Sequence, residues 1–142
     1  MSDDAEPRSL FTGNAVCALV TLKRDGRPQL SNIAALFSRD STTARISLTD
    51  GRAKTANIRR DPRVSLYVSK NEGWAYAVAD GVAELSPVAA HPDDATVDSL
   101  VELYRDLQGE HPDWNEFRAA MVEERRLLLT VQLEHFYGMV GR

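Results

Sequence analysis

Residues 15–38 read AVCALVTLKRDGRPQLSNIAALFS, two apolar runs flanking a charged Asp-Gly turn. The first run has β-type composition, and Asp25-Gly26 offers the residues that tolerate positive φ in a tight hairpin turn. Pro28 falls at the first residue of the second run, where a missing amide donor is tolerated. The stretch predicts an antiparallel hairpin, and the rest of the chain repeats its grammar. ARISLT (44–49) reads as a third strand with Ile46 and Leu48 on one face, and VSLYVS (64–69) alternates cleanly. WAYAVADGVAEL (74–85) is a long extended segment in which Gly81 marks a bulge or sharp bend. LLLTVQLEHFYGMV (127–140) is a last strand, on which His135 falls in phase with Leu129, Val131 and Leu133 and is expected to be partly buried.

Helical signals interrupt the strands. AKTANIRR (53–60) has the composition of a short helix, which Pro62 ends by disfavouring helical geometry at Asp61. DDATVDSLVELYRDL (93–107) places Val97, Leu100, Val101, Tyr104 and Leu107 at helical spacing, and Gly109 fits the position after its end. WNEFRAAMVEE (114–124) sets Trp114, Phe117 and Met121 on one side, and a short helix is expected near Ser9 to Thr12. The expectation is a mainly β fold with a few helices: a six-stranded antiparallel barrel forming one domain over residues 1–142.

Composition bounds the function. At 142 residues, 43% hydrophobic and 27% charged, the chain has ordinary globular usage and enough length to bury an apolar core. No apolar run approaches the roughly 20 residues of a membrane helix, and MSDDAEPRSL is acidic rather than a basic leader. A cytoplasmic protein without a membrane partner is expected. Cys17 is the single cysteine, and His91, His111 and His135 lack metal-ligand spacing, so no metal is expected.

One segment stands against the net charge of −4: TDGRAKTANIRRDPR (49–63) holds five of the seventeen Lys and Arg residues. If a helix begins near Ala53, its first amides are unpaired and its dipole end is positive, yet Arg52 and Lys54 add cations there. Cations at a helix N-terminus are unfavourable unless an anion binds. Ser47 and Thr49, two apart on the preceding strand, offer hydroxyls to one face. Together these suit a phosphate. A solvated basic face is the competing reading, and a nucleic-acid surface is disfavoured because no other segment extends the positive footprint. PQLSN (28–32) puts Gln29 and Ser31 on one strand face and Asn32 on the other, groups suited to the polar edge of a flavin-like ring, or else simply solvated. In GWAYAVADG (73–81), Trp74, Tyr76 and Val78 share one face and Ala75, Ala77 and Ala79 the other, an aromatic stripe read as core or interface.

DGRPQLSN (25–32), RAKTANIRRDPR (52–63) and GWAYAVADGVAELSP (73–87), in that order, together with VELYRDLQGEHPDW (101–114), resemble the pyridoxamine 5′-phosphate oxidase-like split-barrel family. More narrowly they resemble its actinobacterial branch that uses the deazaflavin coenzyme F420, the B-type flavin/deazaflavin oxidoreductases. The resemblance runs from about Val16 to Tyr137. It implies a six-stranded split barrel, a homodimer with cofactor sites at the subunit interface, and hydride transfer from reduced deazaflavin C5 to a conjugated small molecule. FMN binding with oxidase or reductase activity, and a carrier or sensor that holds the cofactor without turnover, are the alternatives. By position, Arg52, Lys54 and Thr55 would bind the cofactor phosphate with Ser47 and Thr49. Gln29, Ser31 and Asn32 would lie along the ring and ribityl chain, and Trp74 would border the site from either subunit. Arg59, Arg60 and Arg63 would attract the glutamate tail. The family's vitamin oxidases carry a C-terminal Arg- and His-containing segment, for which EHFYGMVGR offers only His135 and Arg142, so vitamin oxidation is not expected.

Overall fold

In a computed structural model, residues 5–140 are described; Arg142 lies outside them. The elements run α1 (Ala5–Arg8), β1 (Asn14–Leu22), β2 (Pro28–Phe37), β3 (Thr43–Thr49), α2 (Ala53–Arg60), β4 (Arg63–Lys70), β5 (Ala75–Leu85), α3 (Ala95–Gln108), α4 (Trp114–Glu123) and β6 (Arg126–Met139). The six strands close into an antiparallel barrel in the order β1-β2-β3-β6-β5-β4. Every expected strand forms, with ends shifted by a residue or so. The early helix lies at Ala5–Arg8 rather than near Ser9 to Thr12, where Ser9, Leu10 and Phe11 instead donate their amides back to the carbonyls of Glu6, Pro7 and Arg8.

Strand alternation sorts the side chains. Cys17, Leu19, Ile33, Ala35, Ile46, Leu48, Leu66 and Leu129 all point into one core, and the small side chains of Ala75, Ala77 and Ala79 also face inward. The aromatic stripe of β5 is therefore the outer face, not the core. Phe11 closes one end of the barrel, edge-on to Phe37 at 5.4 Å and to Phe136 at 5.6 Å, while Ser41 donates its hydroxyl to the Phe11 carbonyl. The other end is plugged by α2, whose Ile58 enters the core. Asn57 beside it donates its amide to Thr21 Oγ1 at 3.1 Å and Gln29 Oε1 at 2.9 Å, and accepts from Arg60, so its buried polar atoms are satisfied.

The barrel is zipped unevenly. β5 and β6 pair from Tyr76–Met139 through Leu85–Leu129, and β1 and β2 pair along their whole length. By contrast β2 and β3 pair only at Leu36–Arg45 and Phe37–Ala44, and β1 and β4 only at Ala18–Val20 against Ser65–Tyr67. Past Leu36 the chain of hydrogen bonds between β2 and β3 stops, leaving a split in the wall.

The bend expected at Gly81 is a register shift between Asp80 and Gly81, and the extra residue, Glu134, is supplied by β6. A Cβ at Gly81 would collide with the Gln132 carbonyl, so the close approach itself requires glycine. The bulge also reverses the phase of β6: Leu133 and Phe136 are buried and His135 is exposed, against the expectation of a partly buried histidine.

Candidate functional site

The split between β2 and β3 opens on a cleft of about 470 Å³. Asn32, Ile33 and Ala34 of β2 and Ser47 of β3 form its barrel side, and α3 and α4 cover the other side with Leu100, Leu103, Tyr104, Leu107, Phe117 and Met121. Lys54 and Arg126 stand at its polar end.

α2 begins where the sequence places it. Arg52 is the N-cap with extended backbone and no side-chain capping bond, and the first intrahelical bond runs from the Ala56 amide to the Arg52 carbonyl. The amides of Ala53, Lys54 and Thr55 therefore lack intrahelical acceptors, and the dipole end they form is positive. Lys54 is half-buried and donates to Ser31 Oγ at 3.2 Å, yet faces no carboxylate among the described residues. Burial, then the neighbouring charges of Arg52 and Arg126, hold its ammonium below the usual lysine range. Cations and unpaired helix amides of this kind can stabilise an anion placed against them.

The rest of the basic segment is committed within the chain. Arg59 pairs with Asp50 at 2.7 Å, Arg63 pairs with Asp61 at 2.7 Å, and Arg60 donates to the Leu22 carbonyl and to Asn57 Oδ1. Thr55 is wholly buried and gives its hydroxyl to the Thr49 carbonyl at 2.8 Å, fastening α2 to β3. Gln29 accepts from Asn57 at the plugged end. Of the residues predicted from sequence, Asn32, Ser47 and Lys54 line the cleft, Arg52 lies beside Lys54 at the start of α2 and Ser31 touches Lys54. Thr49, Thr55, Gln29 and Arg60 serve the framework around them. Trp74, 78% exposed, sits in the β4–β5 connection at the far end of the barrel from α2. The eight residues of β4, at about 3.3 Å each, put roughly 25 Å between the two ends. Within one chain Trp74 does not reach the cleft.

Sequence reasoning missed Arg126. It opens β6 opposite Thr49 and lines the cleft, with Nε held by Glu124 at 3.0 Å. Its placement comes from the neighbouring turn: Arg125 adopts φ 55, returns its carbonyl to the Asp50 amide and reaches the Asp50 carboxylate at 2.8 Å. A basic pair at the head of a strand was the available signal, but the contact spans 77 positions of sequence and has no local signature. No cluster of His, Cys, Asp or Glu among the described residues could hold a metal ion, and no helix there is long and apolar enough to cross a membrane.

A six-stranded antiparallel barrel, split at one seam and bearing a helix N-terminus and lysine at the opening, defines the split-barrel class. The sequence profile described as pyridoxamine 5′-phosphate oxidase matches residues 4–139, and the chain belongs to that family. Among solved structures it resembles an F420 reductase, at 22% identity over 92% of this chain and 94% of that one, with a TM-score of 0.65. A conserved hypothetical protein from Mycobacterium tuberculosis matches at 18% identity, over 100% and 87% of the two chains, with a TM-score of 0.72. The heme storage protein HutZ from Vibrio cholerae matches at 15% identity, over 99% and 98%, with a TM-score of 0.66. At these identities the likenesses concern the fold alone.

Proposed function

We propose that the protein is a coenzyme F420-dependent oxidoreductase acting on a conjugated small molecule. The observation that carries this reading is Lys54: a half-buried ammonium at an uncapped helix start, in the field of two arginines and facing no carboxylate among the described residues. That donor set fits a phosphate with several acceptor oxygens. Arg52, Lys54, Arg126, the Ser47 hydroxyl and the first amides of α2 would hold the cofactor phosphate, and the Asn32 amide would orient the polar edge of the ring. When bound, the reduced deazaflavin supplies a hydride from C5. The chain's contribution is binding, orientation and exclusion of water by the apolar cover of α3 and α4. Family membership and the fold shared with an F420 reductase support the class.

A homodimer completes the reading. Asn32 at the cleft edge is in register with Ala18, Tyr67, Val78 and Tyr137 across β1, β4, β5 and β6. This outward row leads from the cleft onto a face with exposed Val16, Leu30, Tyr67 and Met139. An apolar face of that extent is suited to a second copy, and Trp74 would then approach the partner's cleft rather than its own.

The test is a titration of purified protein with F420 and, separately, with FMN, followed by fluorescence polarisation. The expected result is micromolar or tighter F420 binding. Tight FMN binding with none of the deazaflavin would replace the reading with an FMN enzyme. Reduced F420 oxidised by enones or quinones no faster than without protein would reduce it to a carrier.

A further inference from the structure

Asp50 stands in the middle of the positive charge, yet among the described residues it pairs with neither Lys54 nor Arg126. Its side chain is only 19% exposed and uses both oxygens: Oδ1 accepts from Arg59 at 2.7 Å and Oδ2 from Arg125 at 2.8 Å. Those hydrogen bonds, from Arg125 first and then Arg59, hold its carboxyl below the usual carboxylate range. Arg59 lies in the last turn of α2, and Arg125 in the turn that leads into β6. One carboxylate therefore joins the helix that carries Lys54 to the strand start that carries Arg126, across 75 positions of sequence.

The backbone around the join is constrained to match. Arg125 adopts φ 55, left-handed geometry that a residue other than glycine keeps only where its surroundings over-determine it. Here the Asp50 amide donates to the Arg125 carbonyl at 3.0 Å while the carboxylate holds the guanidinium. The next residue, Arg126, then faces Thr49 across the β3–β6 ladder and lines the cleft. On the helix side, Thr55 gives its hydroxyl to the Thr49 carbonyl at 2.8 Å.

The geometry points to Asp50 as a positioning residue for the anion site: its carboxylate sets Arg126 against Lys54, although it carries the same sign of charge as the ligand. The inference rests on the proposed function for the anion being a cofactor phosphate; the clamp serves any anion bound between the two cations. Two roles for Asp50 differ in sign. A mere counter-charge repels an anion in the cleft, and its removal tightens binding. A clamp presents Arg126, and its removal weakens binding.

A double-mutant cycle separates the two, measured by isothermal titration calorimetry with F420 and, separately, with inorganic pyrophosphate, an anion without a ring. Asp50→Asn is expected to weaken binding about fivefold when Arg126 is present and to cause no weakening in an Arg126→Ala background. Urea unfolding checks the fold of each variant. Arg125→Gln, at a side chain 66% exposed, takes the place of Asp50→Asn if that variant does not fold, and its loss of affinity should likewise vanish with Arg126→Ala. Tighter or unchanged binding by Asp50→Asn would overturn the clamp, as would an equal loss with and without Arg126. A cycle that holds with either probe keeps the clamp. If it holds with pyrophosphate while F420 does not bind, the clamp stands and the deazaflavin reading falls; binding of neither probe overturns both.

Discussion

The β5–β6 seam and the β2–β3 seam belong to one barrel and are finished in opposite ways. β5 and β6 are paired nearly end to end, with the backbones pressed so close at Gly81 and Gly138 that a side chain would collide. β2 and β3 touch through two pairs and then part, and the space is taken by a lysine, a hydroxyl and a helix start. Where backbone groups satisfy one another the wall is inert; where they part, polar side chains and unpaired amides gather, and these can serve a ligand. On the proposed function, the closed seam stabilises the barrel and the open seam binds.

Substitutions should separate the two. The largest effect is expected from Leu129→Ala, wholly buried where β6 meets both β3 and β5: about 2–5 kcal/mol of lost stability in urea unfolding, with no direct effect on ligand contacts. Gly81→Ala forces a methyl against the Gln132 backbone and should cost about 1–3 kcal/mol in the same assay. On the open seam, Arg126→Ala should weaken F420 binding severalfold while leaving the unfolding midpoint nearly unchanged. The proposed contact to the phosphate would be charge-assisted, whereas the pair with Glu124 is partly exposed and contributes little.

Two pH effects sharpen the contrast further. Lys54 must be charged to hold an anion, and its pKa lies below the ordinary value of about 10.4. Affinity for F420 should therefore fall with rising pH sooner than a free lysine would dictate, and Lys54→Arg should remove that alkaline loss. The smallest effect belongs to Asp61, the C-cap of α2, whose carboxyl Arg63 holds down at about 2. A depressed carboxyl stabilises the fold above its unfolded pKa of about 3.9 and loses that contribution as pH falls through its folded value. Between pH 4 and 2 the wild type should lose slightly more stability than Asp61→Asn in acid unfolding curves.

The sequence carried the closed seam well and the open one in part. Alternation in ARISLT and VSLYVS, the Asp25-Gly26 turn and Pro62 are local signals, and each of those elements forms. The two faces of WAYAVADG were legible too, but not which face would lie inside; it is the three alanines that are buried. His135 was misjudged because the bulge residue Glu134 comes from β6, while the sequence signal, Gly81, sits on β5. At the site, Lys54 and Arg52 announced themselves by standing where a helix dipole disfavours cations. Gln29, Arg60 and Thr55 looked equally suited to a ligand, and only folding commits them to Asn57, Leu22 and Thr49. Arg126 and the α3–α4 wall meet the rest of the cleft through long-range packing that leaves no spacing to read.

The central claim is that the open seam binds and does not stabilise, and Lys54→Ala tests it most directly when both properties are measured on the same preparation. The account predicts an F420 dissociation constant raised about tenfold to a hundredfold, with unfolding free energy within about 0.5 kcal/mol of wild type. Unchanged affinity, or a loss of binding matched by an equal loss of stability, would contradict it.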